Sequence, residues 1–92
     1  MNKNICVVGA GYWGRNHIKT LTKLSALRGI VETDKNTLSS YLDSYADIKG
    51  HSCIEEAILE DYDGFTIATP AKTHFKIAKT IIQARKSVLI EK

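Results

Sequence analysis

"NICVVGAGYWGRNH", residues 4–17, decides the reading of this chain. A short apolar, β-branched run ends in three glycines, Gly9, Gly11 and Gly14, and a polar stretch with helical periodicity follows. The run Asn4 to Gly9 reads as a strand buried on both faces. In a strand–turn–helix of this kind the first glycine permits the tight turn. The second removes a side chain so that a diphosphate can approach the main chain, and the third lets the helix pack against the strand. The helix start then offers unpaired N–H groups and a partial positive charge to an anion. The plain alternative is a tight turn of the same shape that binds nothing.

Outward from this turn the chain alternates between strands and helices. Tyr12 to Leu24 reads as a helix, with Ile18, Leu21 and Leu24 near helical period. Leu27 to Glu32 reads as a second strand, weakened by Gly29. Asp34 is placed to cap a helix whose Leu38, Tyr41, Leu42 and Tyr45 form one stripe. "DIKGHS", residues 47–52, makes at best a very short third strand. Ser52 and Glu55 have capping-box spacing before Ile54, Ala57 and Ile58. Asp63 to Thr69 is the fourth strand, and Pro70 stands where a first helical turn tolerates proline. Phe75, Ala78, Ile81 and Ile82 mark the expected buried stripe of the next helix, and Ser87 to Glu91 is the fifth strand. This βαβαβαβαβ pattern predicts an α/β fold with a doubly wound parallel sheet (a Rossmann fold), strand order 3-2-1-4-5 and helices on both faces.

Composition narrows the function. The 92 residues fit one small domain; 43% are hydrophobic and 25% charged, and the formal net charge is +3. The positive residues are scattered. Lys72, Lys76, Lys79, Arg85 and Lys86 read as a solvent-facing helix side without interleaved aromatics, so nucleic acid is not an expected partner. No apolar run approaches membrane-spanning length and no segment reads as a signal peptide. Cys6 and Cys53 lack metal-ligand spacing and read as reduced thiols of a cytoplasmic protein, Cys6 in the core; no metal site is expected. His17 and His51 read as surface residues.

An acid completes the dinucleotide pattern. Glu32 lies 18 residues past Gly14, close to the ~20 expected of a ribose-binding carboxylate. Hydrogen bonds from the adenosine ribose to Glu32 favour NAD, and its charge repels the extra phosphate of NADP, which is the less favoured cofactor. The competing reading makes Glu32 a solvated strand-end residue beside the cap Asp34.

The segments "VVGAGYWGRNH", "FTIATPAKTH" and "KSVLIEK" together resemble the N-terminal part of the glucose-fructose oxidoreductase/inositol dehydrogenase/MocA family, in order and spacing across nearly the whole chain. The Y-W-G form of the turn is similar to the family's nucleotide-sugar 3-dehydrogenases. The resemblance implies that Tyr12 and Trp13 line the diphosphate with backbone N–H groups. It also implies that Thr69 and Pro70 lie beside the cofactor and that His74 is near the nicotinamide ribose. Glu91 and Lys92 match the start of the family's E-K-P motif: the glutamate approaches the nicotinamide, and the lysine is the catalytic residue at the reacting hydroxyl. The implied activity is hydride transfer between a nicotinamide cofactor and a secondary hydroxyl of a sugar, sugar nucleotide or polyol. Residues 1–92 are then the cofactor domain, cut short of a substrate domain that the family carries, with a homo-oligomer expected. A stand-alone module that senses a dinucleotide without redox chemistry fits the same glycine turn.

Overall fold

The computed structural model describes residues 4–45, 47–69 and 71–90, and at 12, 13, 71, 72, 89 and 90 the backbone alone. Nine elements alternate: β1 (Ile5–Val8), α1 (Tyr12–Lys23), β2 (Leu27–Val31), α2 (Lys35–Ser44), β3 (Lys49–His51), α3 (Ile54–Ala57), β4 (Gly64–Ile67), α4 (Ala71–Gln83) and β5 (Ser87–Ile90). The sheet has order β3-β2-β1-β4-β5 with every neighbouring pair parallel, as the pattern predicts. The expected role of Pro70 falls outside the described residues.

Burial follows from this topology. Helices on both faces force the central strands to be apolar on both, so Cys6 to Val8 and all of Gly64 to Ile67 are buried. Cys6, Val8, Phe65 and Ile67 face α3 and α4, where they meet Ile54, Ala57, Ala78 and Ile81. Val7 and Ile30 face the opposite way, against Ile18 of α1. Phe65 is among the largest fully buried side chains, and its burial stabilises the fold by about 2–3 kcal/mol. Asn4 and Asp63 clamp the entries of the two central strands: each main-chain N–H bonds across the pair, at 2.7 Å.

Several local expectations are corrected. Phe75 and Ile82 are not on the buried stripe of α4: they are 67% and 59% exposed, and the helix buries Ala78 and Ile81 instead. The buried arc is narrower than the run of apolar residues because a single sheet face meets the helix. Leu24 is exposed and forms the C-cap of α1, and Leu42 is 38% exposed with its methyls over Gly50, while Leu38, Tyr41 and Tyr45 pack against the core. The box partner of Ser52 is not Glu55. The N-cap of α3 is Cys53, without a side-chain cap, and the Glu56 carboxylate accepts from the Ser52 N–H and hydroxyl at 3.4 and 3.3 Å. Lys86 is not merely solvent-facing, since its ammonium donates to the Tyr62 carbonyl at 3.0 Å.

His51 is also no surface residue. It is 8% exposed, its Nε2 lies 2.8 Å from the Tyr62 hydroxyl, and the two rings meet edge to face; His17 is half-buried. Tyr62 explains Gly29 as well: a Cβ there would come within 2.0 Å of the Tyr62 hydroxyl oxygen. Glycine in β2 thus makes room for a ring that closes the sheet face.

Two outcomes follow from this packing. A Cβ added at Gly14 would lie 1.7 Å from the Gly9 carbonyl oxygen, so Gly14→Ala should lower unfolding stability by about 3 kcal/mol, read from urea midpoints. Burial holds the His51 imidazolium pKa below its ordinary value. The unfolded chain therefore binds more protons between that lowered value and ~6.5, and stability is lost as pH falls through this window. Urea midpoints measured from about pH 7 to pH 5 should fall, and His51→Gln should remove the His51 part of that slope.

Candidate functional site

In a doubly wound sheet the loops leaving β1 and β4 diverge to opposite faces and leave a crevice beyond the strand ends. Here the crevice is a cleft of about 510 Å³. Val8, Val31 and Ala68 form its apolar floor, with Gly9, Gly11 and Glu32 along one side.

The three glycines do three different things. Gly9 has φ +97°, a region open to glycine, and a Cβ there would also meet the Thr69 methyl at 2.9 Å. Its N–H donates to the Val31 carbonyl at 2.8 Å, which ties the turn to β2. Gly14 packs α1 onto the turn. Gly11 differs from both: its φ is −77° and an added Cβ would have nothing within 4 Å. Neither backbone strain nor internal packing calls for glycine there, yet the residue lines the cleft. Helix α1 begins at this point with no side-chain cap and no acid in its first turn, so its opening N–H groups and positive dipole end are suited to an anion. The side chains of Tyr12 and Trp13 lie outside the described residues; their main chain forms the first turn of α1.

Glu32 follows β2 and borders the cleft half-buried. Its Oε1 accepts from the Ala10 N–H at 2.8 Å and its Oε2 from the Asp34 N–H at 2.9 Å. Asp34 caps α2, its Oδ1 accepting from Asn36 N–H at 2.9 Å and Thr37 N–H at 3.3 Å. Asp34 is the cap, as the competing reading has it, but Glu32 is a fixed group and not a loose solvated one. Each carboxylate oxygen retains lone-pair capacity for a sugar hydroxyl.

On the far side, Thr69 leaves β4 and is held from α4. The Thr73 hydroxyl donates to the Thr69 hydroxyl at 2.8 Å, and His74 Nε2 donates to the Thr69 carbonyl. The imidazole is thus engaged with the β4–α4 turn. Pro70, Glu91 and Lys92, expected beside the cofactor or at the reacting hydroxyl, lie outside the described residues.

Further cleft residues carry no binding signal in the sequence. Thr73, Lys76, Ile77 and Thr80 recur at helical spacing and form the α4 wall. Cys53 and Ile54 contribute from the start of α3. Lys76 reads from sequence as an ordinary solvated lysine; only the β4–α4 crossover brings it to the cleft. Cys6 is fully buried and burial pushes its thiol pKa up, so it is no nucleophile. Among the described residues no three of His, Cys, Asp and Glu gather as a metal site, and no helix is long and apolar enough to cross a membrane.

The chemistry of this cleft fits a dinucleotide: an open main-chain patch, a helix start and an acceptor carboxylate. Comparisons with known proteins agree. The profile of the oxidoreductase family with an NAD-binding Rossmann fold matches residues 3–92. UDP-N-acetylglucosamine 3-dehydrogenase of Acidithiobacillus ferrooxidans is 30% identical over 87 residues, covering 94% of this chain and 27% of that protein. GenD2 from gentamicin A biosynthesis, solved in complex with NAD, superposes with a TM-score of 0.91 at 30% identity over 99% of this chain and 27% of its own. The structure of the Acidithiobacillus ferrooxidans enzyme gives 0.85 at 26% identity, over 100% of this chain and 29% of that one. The chain thus spans less than a third of the length of these relatives. With fold, cleft and profile in agreement, the chain belongs to the glucose-fructose oxidoreductase/inositol dehydrogenase/MocA oxidoreductase family, and its fold is that family's NAD-binding Rossmann fold.

Proposed function

We propose that the cleft holds NAD(H), in preference to NADP(H), as the cofactor domain of a dehydrogenase acting on a secondary hydroxyl of a sugar or sugar nucleotide. The observation that carries the cofactor reading is Gly11, a glycine the fold itself does not require, facing the cleft at the start of α1. The diphosphate lies over this patch and against the first N–H groups of α1. Glu32 accepts the adenosine ribose hydroxyls, and its charge opposes a 2′-phosphate. The likeness to an enzyme named as a UDP-N-acetylglucosamine 3-dehydrogenase supports the nucleotide-sugar reading of the substrate.

Bound nicotinamide supplies the hydride chemistry. This chain's task is to position the cofactor and to stabilise charge developing on the hydroxyl oxygen, while the hydroxyl proton passes to a base of the substrate domain. Thr69, held by Thr73 and His74, shapes the β4 side of the cleft near the ring end. Lys92 belongs to the proposal as the catalytic residue at the reacting hydroxyl, where an ammonium stabilises developing alkoxide; Glu91 and Pro70 belong to it on the cofactor side. Residues 1–92 form the cofactor domain, and a second domain holds the substrate. A cytoplasmic, homo-oligomeric enzyme completes the proposal, consistent with its two free thiols.

Gly11→Val should weaken NAD binding at least about 100-fold by calorimetry, because the side chain fills the diphosphate path. Unfolding stability should change by no more than about 1 kcal/mol, the scale of a cap substitution. Tight NAD binding by this variant would defeat the proposal. Glu32→Ala should weaken NAD about tenfold and narrow its preference over NADP, the loss of a charge-assisted pair. Undiminished selectivity would remove Glu32 from the ribose site.

A further inference from the structure

Glu32 is anchored without any ligand. Two main-chain N–H groups hold it, Ala10 on Oε1 and Asp34 on Oε2. Ala10 lies between Gly9 and Gly11 and is 4% exposed. A main-chain N–H that deep must find an acceptor. The turn does not supply that acceptor itself; a side chain just past the neighbouring strand does. The peptide that Glu32 grips leads directly into Gly11 and the first turn of α1. The bond is charge-assisted, the stronger kind.

We infer that Glu32 is a positioning residue for the diphosphate-binding turn, in addition to its proposed contact with the ribose. Its Oε1 fixes the Ala10 peptide, and so sets where Gly11 and the opening N–H groups of α1 point. The same residue lines the cleft. One carboxylate thereby links two halves of the ligand site: the group that receives the sugar also sets the main chain that receives the phosphates. This inference rests on the dinucleotide reading of the cleft. The rival account is that Gly9, bonded to Val31, and Gly14, packed on Gly9, already hold the turn, and that the Ala10 bond adds nothing.

The test compares the whole chain with Glu32→Gln and Glu32→Ala. Both variants remove the charge; glutamine keeps one oxygen to serve the Ala10 or the Asp34 N–H, and slow Ala10 exchange marks it on Ala10, whereas alanine keeps none. The probes are inorganic pyrophosphate, which has no ribose, and NAD, titrated by NMR; hydrogen exchange of the Ala10 amide is followed without ligand. E32Q should bind pyrophosphate at least as tightly as the wild type, and E32A about tenfold more weakly than E32Q. The Ala10 amide should exchange about tenfold faster in E32A than in E32Q. Equal pyrophosphate affinity in the two variants overturns the inference while leaving the NAD reading in place. A wild type that binds neither pyrophosphate nor NAD overturns the NAD reading, and the linkage with it. If E32A does not fold, E32N, neutral like E32Q but one methylene short of Ala10, takes its place with the same expectation.

Discussion

The structure depends on one close approach, the first turn of α1 against the main chain of the β1 turn. Gly14 stands so near the Gly9 carbonyl that no side chain fits between them. This contact fixes the angle at which α1 leaves the sheet. It brings the positive end of the helix to the cleft, and it leaves room for Gly9 to turn with positive φ. The sheet order follows the same logic. β1 and β4 are neighbours whose following helices depart to opposite faces, so the packed turn opens onto a crevice and not onto another helix.

The architecture was legible in the sequence because each strand carries its own signal. Apolar, β-branched runs recur between helical stripes, and single-helix connections favour parallel pairing. What was not legible was how far each helix turns its apolar side to the sheet. Phe75 and Ile82 keep helical spacing with Ala78 and Ile81, yet they lie just outside the contacting arc. Periodicity gives a face but not its width. His51 shows a different gap: its partner Tyr62 is eleven residues on, and nothing local in the sequence announces their meeting. Gly29 reads alone as a weak point in a strand, and becomes intelligible only with the Tyr62 ring in place.

The candidate site divides the same way. Glycine spacing and the distance to Glu32 are one-dimensional signals, and they mark the near side of the cleft. The far wall, Thr73, Lys76, Ile77 and Thr80, keeps ordinary helical spacing, and topology alone brings it to the cleft. The bond between Glu32 and Ala10 belongs to this second kind. A sequence shows an acid at a strand end, and only the folded chain shows which amide that acid holds.

Helices α1 and α4 end in the same way, at the edge of the sheet away from the cleft. The N–H of Ala26 reaches the Leu21 carbonyl at 2.9 Å and that of Lys86 the Ile81 carbonyl at 3.2 Å, while Ser25 and Arg85 adopt left-handed φ of 57° and 62°. These are paired Schellman endings in which glycine would be at ease, and each non-glycine residue costs about 1 kcal/mol in that conformation. The fold therefore carries removable strain at its rear while its ligand end is sterically committed. A lineage could harden this domain against heat from behind, leaving the chemistry at the front untouched.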